Sequence, residues 1–266
     1  MTAGRIRVGI GGWTYEPWRD GVFYPEKWPQ ARELEYAAGK MTAIEVNGTY
    51  YSGFQPSTFA KWRSETPDDF IFTLKASRFC TNRKVLADAG QGIAKFISQG
   101  IVELGDKLGP ILWQFMPTKA FDPDDFSAFL RLLPSGHAGV PLRHAVEVRH
   151  QSFRDPAFVT LCRSAGVAVV FADSAKYPTL PDVTAPFVYA RLEDAKAEVQ
   201  TGYSAPELDQ WASIAKGWAA GQAPDGLDYV DRPAHPATEA RDVFVFMING
   251  AKERAPAAAM ALIERV

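Results

Sequence analysis

Short apolar segments alternate with longer amphipathic ones along the chain, and the pattern repeats eight times without a change in composition. The short segments are rich in Val, Ile and Phe, which is typical of parallel strands buried on both faces. The eight predicted strands are Ile6–Gly12, Thr42–Asn47, Phe70–Lys75, Pro110–Phe115, Ala145–Arg149, Val167–Asp173, Phe187–Leu192 and Val243–Asn249.

The segments between the strands predict helices, several with capping residues. Ser57 is placed to cap one helix, Pro156 and Pro206 suit first turns, and Gly166 suits the left-handed residue that ends a helix. Three prolines between Ser174 and Pro186 allow at most a turn of helix there. The predicted helices are Ala31–Gly39, Ser57–Glu65, Ala94–Leu108, Asp124–Leu133, Pro156–Ala165, Pro206–Ala219 and Ala255–Val266.

Eight consecutive strand–helix units place the chain in the α/β class. An open doubly wound sheet has the same alternation, but eight units in 266 residues favour a closed (β/α)8 TIM-like barrel, whose usual length is about 250 residues. We therefore predict a single domain over residues 1–266. The Pro-, Ala- and Gly-rich stretch Gly221–Arg241 is expected on the amino face of the barrel, away from any site.

The composition limits the classes of molecule that the protein is expected to bind. With 29 basic and 31 acidic residues the formal net charge is −2, which argues against nucleic acid or an anionic membrane surface as a partner. The sequence lacks an apolar run of about 18 residues and a signal-peptide core. Two cysteines, Cys80 and Cys162, fit a reducing compartment, so we expect a cytoplasmic protein with a small-molecule ligand. The oligomeric state is left open.

Polar residues cluster where the predicted strands end, and in a barrel these ends converge on one cavity. Glu45 and Asn47 lie two residues apart, as do Glu147 and Arg149, so each pair points to one side of its strand. The candidate residues at or just after the strand ends are Trp13, Tyr15, Glu45, Asn47, Lys75, Gln114, Glu147, Arg149, His150, Asp173, Arg191 and Asn249.

We assign catalytic roles to Glu147, Lys75, Glu45 and Asp173. Glu147 is a candidate general acid or base, and Lys75 a candidate Schiff-base amine or cationic clamp. An unpaired buried ion costs several kcal/mol, so these charges must pair with one another or with a ligand. A closed set of salt bridges that only plugs the barrel mouth is the alternative explanation.

The places of these residues in the predicted barrel bear on three other kinds of chemistry. Glu45, Glu147 and Asp173 are oxygen donors that could hold Mg²⁺ or Mn²⁺, although no metal is predicted. Gln114 and Arg191 stand where retaining glycosidases of this fold carry two carboxylates. The four histidines, His137, His144, His150 and His235, are too dispersed for a zinc cluster.

Two features suggest ligand contacts. Asn249-Gly250-Ala251-Lys252 leads into a helix that contains Pro256 in its first turn, a place where barrels often bind phosphate. An ordinary βα loop is the alternative. Aromatic residues that could stack on a sugar or base are Trp13, Tyr15, Trp18, Phe23, Tyr24, Tyr50 and Tyr51.

An ordered set of motifs resembles the YecE-like family, also called domain of unknown function 72, whose members are barrels without a settled activity. The motifs are Gly12-Trp13-Thr14-Tyr15 with Trp18 and Phe23-Tyr24-Pro25, Ile44-Glu45-Val46-Asn47 with Tyr50-Tyr51, Phe72-Thr73-Leu74-Lys75, Gly109 to Phe115, Val146 to His150 with Ser152, Asp173, Tyr189-Ala190-Arg191, Gly202-Tyr203-Ser204 and Asn249. The resemblance implies a barrel and adds Tyr203 to the expected substrate-binding residues.

The chain departs from the family pattern at several positions. Gly11 replaces a serine, Asn82 a histidine, and Glu193-Asp194 a His-Gly pair. Ser152-Phe153 and Asn249-Gly250 stand where the family has Ser-Trp and a double asparagine. These changes argue against a histidine-dependent or metal-dependent mechanism in this chain.

Three functions remain open. The first is an enzyme acting on a polar or anionic small molecule, sugar-like or phosphorylated, by carboxylate acid–base chemistry. The second is a metal-dependent endonuclease-like barrel, and the third is a non-catalytic ligand binder.

Overall fold

The computed structural model describes residues 4–232 and 239–266. His235 and the middle of the predicted 221–241 linker lie outside these ranges. Eight parallel strands form a closed barrel, and each overlaps its predicted segment. They are β1 (Ile6–Gly11), β2 (Ala43–Val46), β3 (Ile71–Lys75), β4 (Leu108–Gln114), β5 (His144–Glu147), β6 (Ala168–Asp173), β7 (Phe187–Leu192) and β8 (Asp242–Met247).

The barrel closes through β1, which pairs in parallel with both β2 and β8. Gly9 is opposite Ala43 on one side and Phe246 on the other. A Cβ atom on Gly9 would lie 1.8 Å from the Ala43 carbonyl oxygen, so only glycine permits this close approach. A two-residue hairpin, Gly136–His137 with Val140–Pro141, sits between β4 and β5.

Nine α-helices within the described ranges surround the barrel. They are α1 (Glu33–Ala38), α2 (Gly48–Tyr51), α3 (Pro56–Ser64), α4 (Arg78–Thr81), α5 (Gly90–Ile97), α6 (Pro123–Leu132), α7 (Pro156–Ala165), α8 (Ala205–Ala219) and α9 (Ala255–Ile263). Short 3-10 helices cover Glu16–Trp18, Gln30–Arg32, Leu86–Ala89, Ile101–Lys107, Gln151–Phe153 and Lys252–Arg254. As predicted, no helix lies between β6 and β7.

The predicted helix Ala94–Leu108 is wrong as a single element. Helix α5 starts earlier, at Gly90, and ends at Ile97, and Gly100 then adopts a φ of 104° that no helix allows. A Cβ on Gly100 would meet Pro56 at 2.7 Å, so tight packing against α3 fixes this break. The amphipathic pattern continues across the break because the following 3-10 helix also buries residues three apart, Ile101, Leu104 and Lys107.

Alternate residues of each strand face two different apolar clusters. Inward positions such as Ala43, Leu112 and Phe244 form the barrel interior, while Val8, Phe72 and their equivalents pack against the helices. This alternation follows from the two-residue period of a strand. It also decides which polar side chains at the strand ends point into the mouth.

The linker ends on the amino face, where the backbone N–H of Arg241 donates to the carbonyl of Ala219 at 3.2 Å. Nearer its start, Asp231 pairs with Arg163 of α7 at 2.7 Å, and Asp228 pairs with Arg154, just before α7, at 2.8 Å. The linker therefore follows α7 along the outside of the barrel instead of staying on the amino face as predicted. Within the described ranges, every helix is too short or too polar to span a lipid bilayer.

Helix α8 offers a measurable test of capping. The Ser204 hydroxyl accepts the N–H of Glu207, whose carboxylate accepts the N–H of Ser204, a reciprocal capping box. Ser57 makes no such bond, because α3 begins at Pro56 with Gln55 as its uncapped N-cap, which corrects the sequence prediction. We expect Ser204→Ala to lower the free energy of unfolding by about 1 kcal/mol and Ser57→Ala to change it by a few tenths at most, as measured by urea denaturation. Equal losses in the two variants would show that the capping box is not the cause.

Candidate functional site

The inward positions at the carboxyl ends of the strands bring together a ring of six charged side chains and one amide, which we call the rim ring: Glu45, Lys75, Gln114, Glu147, Arg149, Arg191 and Glu193. The first six were predicted from the sequence. Glu45, Glu147 and Arg191 share the inward parity of Ala43, Ala145 and Tyr189 on their strands, so all three point into the barrel.

Arg191 lies at the centre of the rim ring and is almost completely buried. Its Nε and Nη2 donate to the two oxygens of Glu45 at 3.0 and 3.1 Å, a bidentate pair. Its Nη1 donates to Glu147 at 2.5 Å and to Glu193 at 2.9 Å. One guanidinium thus joins three carboxylates that reach it from β2, β5 and the loop after β7.

Glu147 is held ionised. Burial alone would raise its pKa, but Arg191, Arg149 and the Gln114 amide outweigh burial and lower the pKa to about 2. Arg149 Nε lies 2.6 Å from one carboxylate oxygen, and Gln114 Nε2 donates to both oxygens at 2.9 Å. A carboxylate so engaged is a weak proton acceptor, so its arrangement favours an electrostatic role over the predicted acid–base one.

Glu45 is held by uncharged donors as well as by Arg191. The Tyr189 hydroxyl donates to its Oε2 at 2.8 Å and is itself 2.9 Å from the Thr73 hydroxyl. The Asn47 amide donates to Oε1 at 3.0 Å. Tyr189 and Thr73 are completely buried below the rim, so they fix the position of Glu45 from beneath.

Lys75 is the exception in the rim ring. Its amine makes no ion pair or hydrogen bond with any residue in the described ranges, although its side chain is buried. The amine lies 4.5 Å from the centre of the Tyr50 ring, a cation–π contact. Burial and repulsion by Arg191 lower the pKa of Lys75 from 10.5 to about 8.

Asp173 and Tyr203 are not brought into the rim ring. Asp173 has the parity of Val169 and Phe171, which face the helices, so its carboxylate points away from the barrel interior. Burial and the neighbouring carboxylates of Asp194 and Glu193 raise the pKa of Asp173 to about 6. Tyr203 is buried beneath the same loop, where its hydroxyl accepts the N–H of Asp194 at 3.1 Å. Their predicted roles stay predictions.

A cleft of about 320 Å³ opens beside the rim ring, between the loops after β1 and β2. It brings together Trp13, Tyr15 and Asn47, which were predicted as binding residues, with Trp62 and Lys252. The Lys252 amine lies 4.5 Å from the centre of the Tyr15 ring, and burial lowers its pKa. The sequence indicated Lys252 only as part of the possible phosphate loop. Its contact with Tyr15 joins residues far apart in the chain, so no local pattern predicts it.

His150 and Asn249 lie at the edge of the mouth. The Nδ1 of His150 accepts the N–H of Ser152 at 3.2 Å, so the imidazole caps a short 3-10 turn. Asn249 is exposed near Glu193. In the predicted phosphate loop, the N–H of Ala251 already donates to Ala195 at 2.7 Å, which leaves fewer free amides for an anion there.

The departures from the family pattern have structural roles in this chain. Glu193 joins Arg191, and its pKa is raised by burial despite that contact. Asn82 lies 3.5 Å from the hydroxyl of Tyr50, the residue that contacts Lys75. A Cβ on Gly11 would meet Ile248 at 3.1 Å and the Asn47 amide at 3.2 Å. A larger side chain would therefore push against Asn47, which donates to Glu45 of the rim ring.

The donor set does not fit Mg²⁺ or Mn²⁺. The oxygens of Glu45 and Glu147 are bound by Arg191, so a guanidinium occupies the place between them. Asp173 points elsewhere, and among residues 4–232 and 239–266 no three His, Cys, Asp or Glu side chains are grouped to hold a metal ion. The histidines described, His137, His144 and His150, do not meet.

The fold and the rim ring define a TIM-type barrel with an ionic mouth. The chain belongs to the family described as "Protein of unknown function DUF72", which it matches over residues 7–266, and this confirms the resemblance seen in the motifs. The protein YecE of Escherichia coli strain K12 is 27% identical over 152 residues, which cover 56% of this chain and 50% of YecE. YunF of Bacillus subtilis strain 168 is 25% identical over 159 residues, covering 58% and 54%. The matches thus span about half the length of these curated relatives.

Solved structures agree on the fold. A DUF72 family protein from Thermotoga maritima has a TM-score of 0.72 at 22% identity, with 98% of each chain covered. One from Enterococcus faecalis has a TM-score of 0.72 at 18% identity, covering 97% of this chain and 94% of that one. A xylose isomerase-like TIM barrel fusion protein matches at a TM-score of 0.51 and 16% identity, covering 97% of this chain and 41% of the fusion protein.

Proposed function

We propose that this protein is an enzyme acting on a small, polar, anionic molecule, with Lys75 as the residue that transfers the proton. The observation that carries this proposal is the state of Lys75, whose side chain is buried and whose amine has no ionic partner in the described ranges, in a ring where the other charges are paired. A lysine with a pKa of about 8 has a free-base fraction on the order of a tenth at neutral pH, which suits a general base.

The remaining ring residues support this role electrostatically. Glu45 and Glu147 raise the pKa of Lys75, while Arg191 and Arg149 lower it, so the ring adjusts the acidity of a single amine. The free amine accepts a proton from the substrate and becomes an ammonium ion, which then pairs with the negative charge left on the substrate. In this scheme the carboxylates hold the arginines and do not themselves titrate.

A non-catalytic ligand binder is the second candidate, and one observation favours it. Arg191 pairs with Glu45, Glu147 and Glu193 together, so these charges can act as a structural plug of the barrel mouth and leave the clefts beside it to bind a ligand without catalysis. Such a plug gives no reason to keep Lys75 buried beside Arg191 without a partner, because burying an unpaired amine is unfavourable. The metal-dependent endonuclease alternative lacks a fitting donor set.

The proposal is tested by the titration of Lys75 together with a search for turnover. Brief labelling with acetic anhydride, followed by mass spectrometry, should give a half-maximal reactivity of Lys75 at a pH of about 8, below the ordinary lysine pKa of about 10.4. Phosphorylated sugars and nucleotides are then incubated with the protein and followed by NMR. A Lys75 midpoint near the ordinary lysine pKa of about 10.4 would remove the basis of the proposal.

A further inference from the structure

A second cleft, of about 560 Å³, lies on the carboxyl face next to the rim ring, between the loops after β2 and β3 and helix α5. Its volume is in the range of small-molecule sites. Two exposed aromatic side chains line it, Tyr51 at 66% exposure and Phe79 at 63%. The amide of Gln55 and the hydroxyls of Ser52 and Ser77 supply hydrogen-bonding groups. The Gln99 side-chain oxygen accepts the N–H of Phe54 at 3.0 Å, which fixes that part of the wall.

The charge of this cleft has one sign. Lys95 lines it, and Arg78 lies with its guanidinium 5.3 Å from the centre of the Phe79 ring. Arg83 donates to the Phe79 carbonyl at 2.6 Å and lies close to Gly92, another lining residue. The lining residues include no acidic side chain, and the sequence from Phe70 to Ala87 contains four Lys or Arg residues and no Asp or Glu.

Helix α2 lies between the cleft and Lys75 of the rim ring. Tyr50 contacts the Lys75 amine on one side, and its ring centre lies 5.0 Å from that of Tyr51. Consecutive residues of one short helix therefore reach the reactive amine and the cleft. A ligand with its reacting end at Lys75 can extend over Tyr50 to the exposed aromatic rings.

We infer that this cleft binds the ring and the phosphate of a nucleotide-like ligand. Exposed aromatic faces stack on bases of any sequence, and nearby Lys and Arg side chains hold phosphate, which is the combination found here. The inference deepens the proposed function, because the bound molecule is then the anionic substrate whose reacting end lies at Lys75. Binding to the cleft itself does not require Lys75.

Titration calorimetry with adenosine monophosphate tests this inference. We expect Phe79→Ala to weaken binding about tenfold, because one of the two exposed aromatic rings on which the base stacks is removed. Lys95→Ala should weaken binding several-fold and reduce its dependence on salt. Adenosine carries the base without the phosphate, and inorganic phosphate carries the charge without the base. Each should therefore bind more weakly than the monophosphate.

Two exposed residues outside the cleft provide matched controls: Val22→Ala, whose side chain is 63% exposed like that of Phe79, and Lys40→Ala. Both should bind adenosine monophosphate like the wild type. Absence of binding, or binding unaffected by Phe79→Ala and Lys95→Ala, overturns the inference. Binding only of a single-stranded oligothymidylate of about six nucleotides also overturns it, in favour of nucleic acid. Lys75→Met should retain monophosphate binding, so a failure here is distinguishable from a failure of Lys75 as the base.

Discussion

Replacing Arg191 with methionine should lower the free energy of unfolding by roughly 3–5 kcal/mol, the largest effect on stability expected from a single change in the rim ring. Arg191 is the shared partner of Glu45, Glu147 and Glu193, and the Glu45 and Glu147 side chains are almost completely buried. Removal of the guanidinium leaves their charges uncompensated in a medium that solvates them poorly. Urea denaturation followed by circular dichroism measures the loss.

An exposed ion pair gives the matched control. Arg163 pairs with Asp231 at 2.7 Å, but both side chains are more than 40% exposed, so Arg163→Met should cost no more than about 1 kcal/mol. Adding Glu45→Gln and Glu147→Gln to Arg191→Met should restore much of the stability, because the two carboxylates that lose their partner Arg191 are then replaced by neutral amides. If Arg191→Met were as mild as Arg163→Met, the rim ring would not be a coupled network.

The effect of Arg191→Met should also depend on pH. The pKa of Glu147 is lowered to about 2 in the folded protein, below its ordinary value of 4.5. Its ionised form therefore stabilises the wild type above pH 4.5, and this contribution is lost as the pH falls from 4.5 to 2. The difference between the wild type and the Arg191→Met variant should narrow over the same interval.

Replacing Lys75 with methionine should reduce turnover by roughly 10²–10⁴-fold, the usual contribution of a general base. The assay uses whichever phosphorylated sugar or nucleotide the wild type converts. The wild-type rate should rise with pH through about 8, because the active form is the free amine. The same variant should be more stable than the wild type at pH 7 by roughly 1–3 kcal/mol, since the lowered pKa reports that the fold disfavours the ammonium ion.

Lys107 is the control for Lys75, because its exposure is similar, 6% against 8%, and burial lowers the pKa of both amines, but only the Lys107 amine is hydrogen-bonded within the described ranges. Its amine donates to the carbonyls of Arg63 and Thr66 at 2.6 and 2.7 Å. Lys107→Met should therefore lose stability and keep turnover, the reverse of Lys75→Met. If both variants lost stability and kept turnover, Lys75 would be a structural lysine and the enzyme proposal would fall.

Much of the fold was predictable because it depends on local regularities. The period of apolar positions was enough to predict eight buried strands that alternate with helices, and the length of the chain then favoured a closed barrel. Gly166 ends α7 with a φ of 64° as predicted from residue type. The prediction for Ala94–Leu108 was wrong because a contact between Gly100 and Pro56, far apart in the sequence, breaks the helix there.

The sequence by itself determined the barrel and most of the rim ring, because residues two apart on a strand share a face and parallel strands end at one rim. Only the tertiary structure decided which charges meet. It placed Arg191 between Glu45, Glu147 and Glu193, turned Asp173 outward, and left Lys75 beside Tyr50. Ion pairing and burial depend on distances across the barrel, and those distances are set by closure and stagger of the sheet, which no local pattern contains.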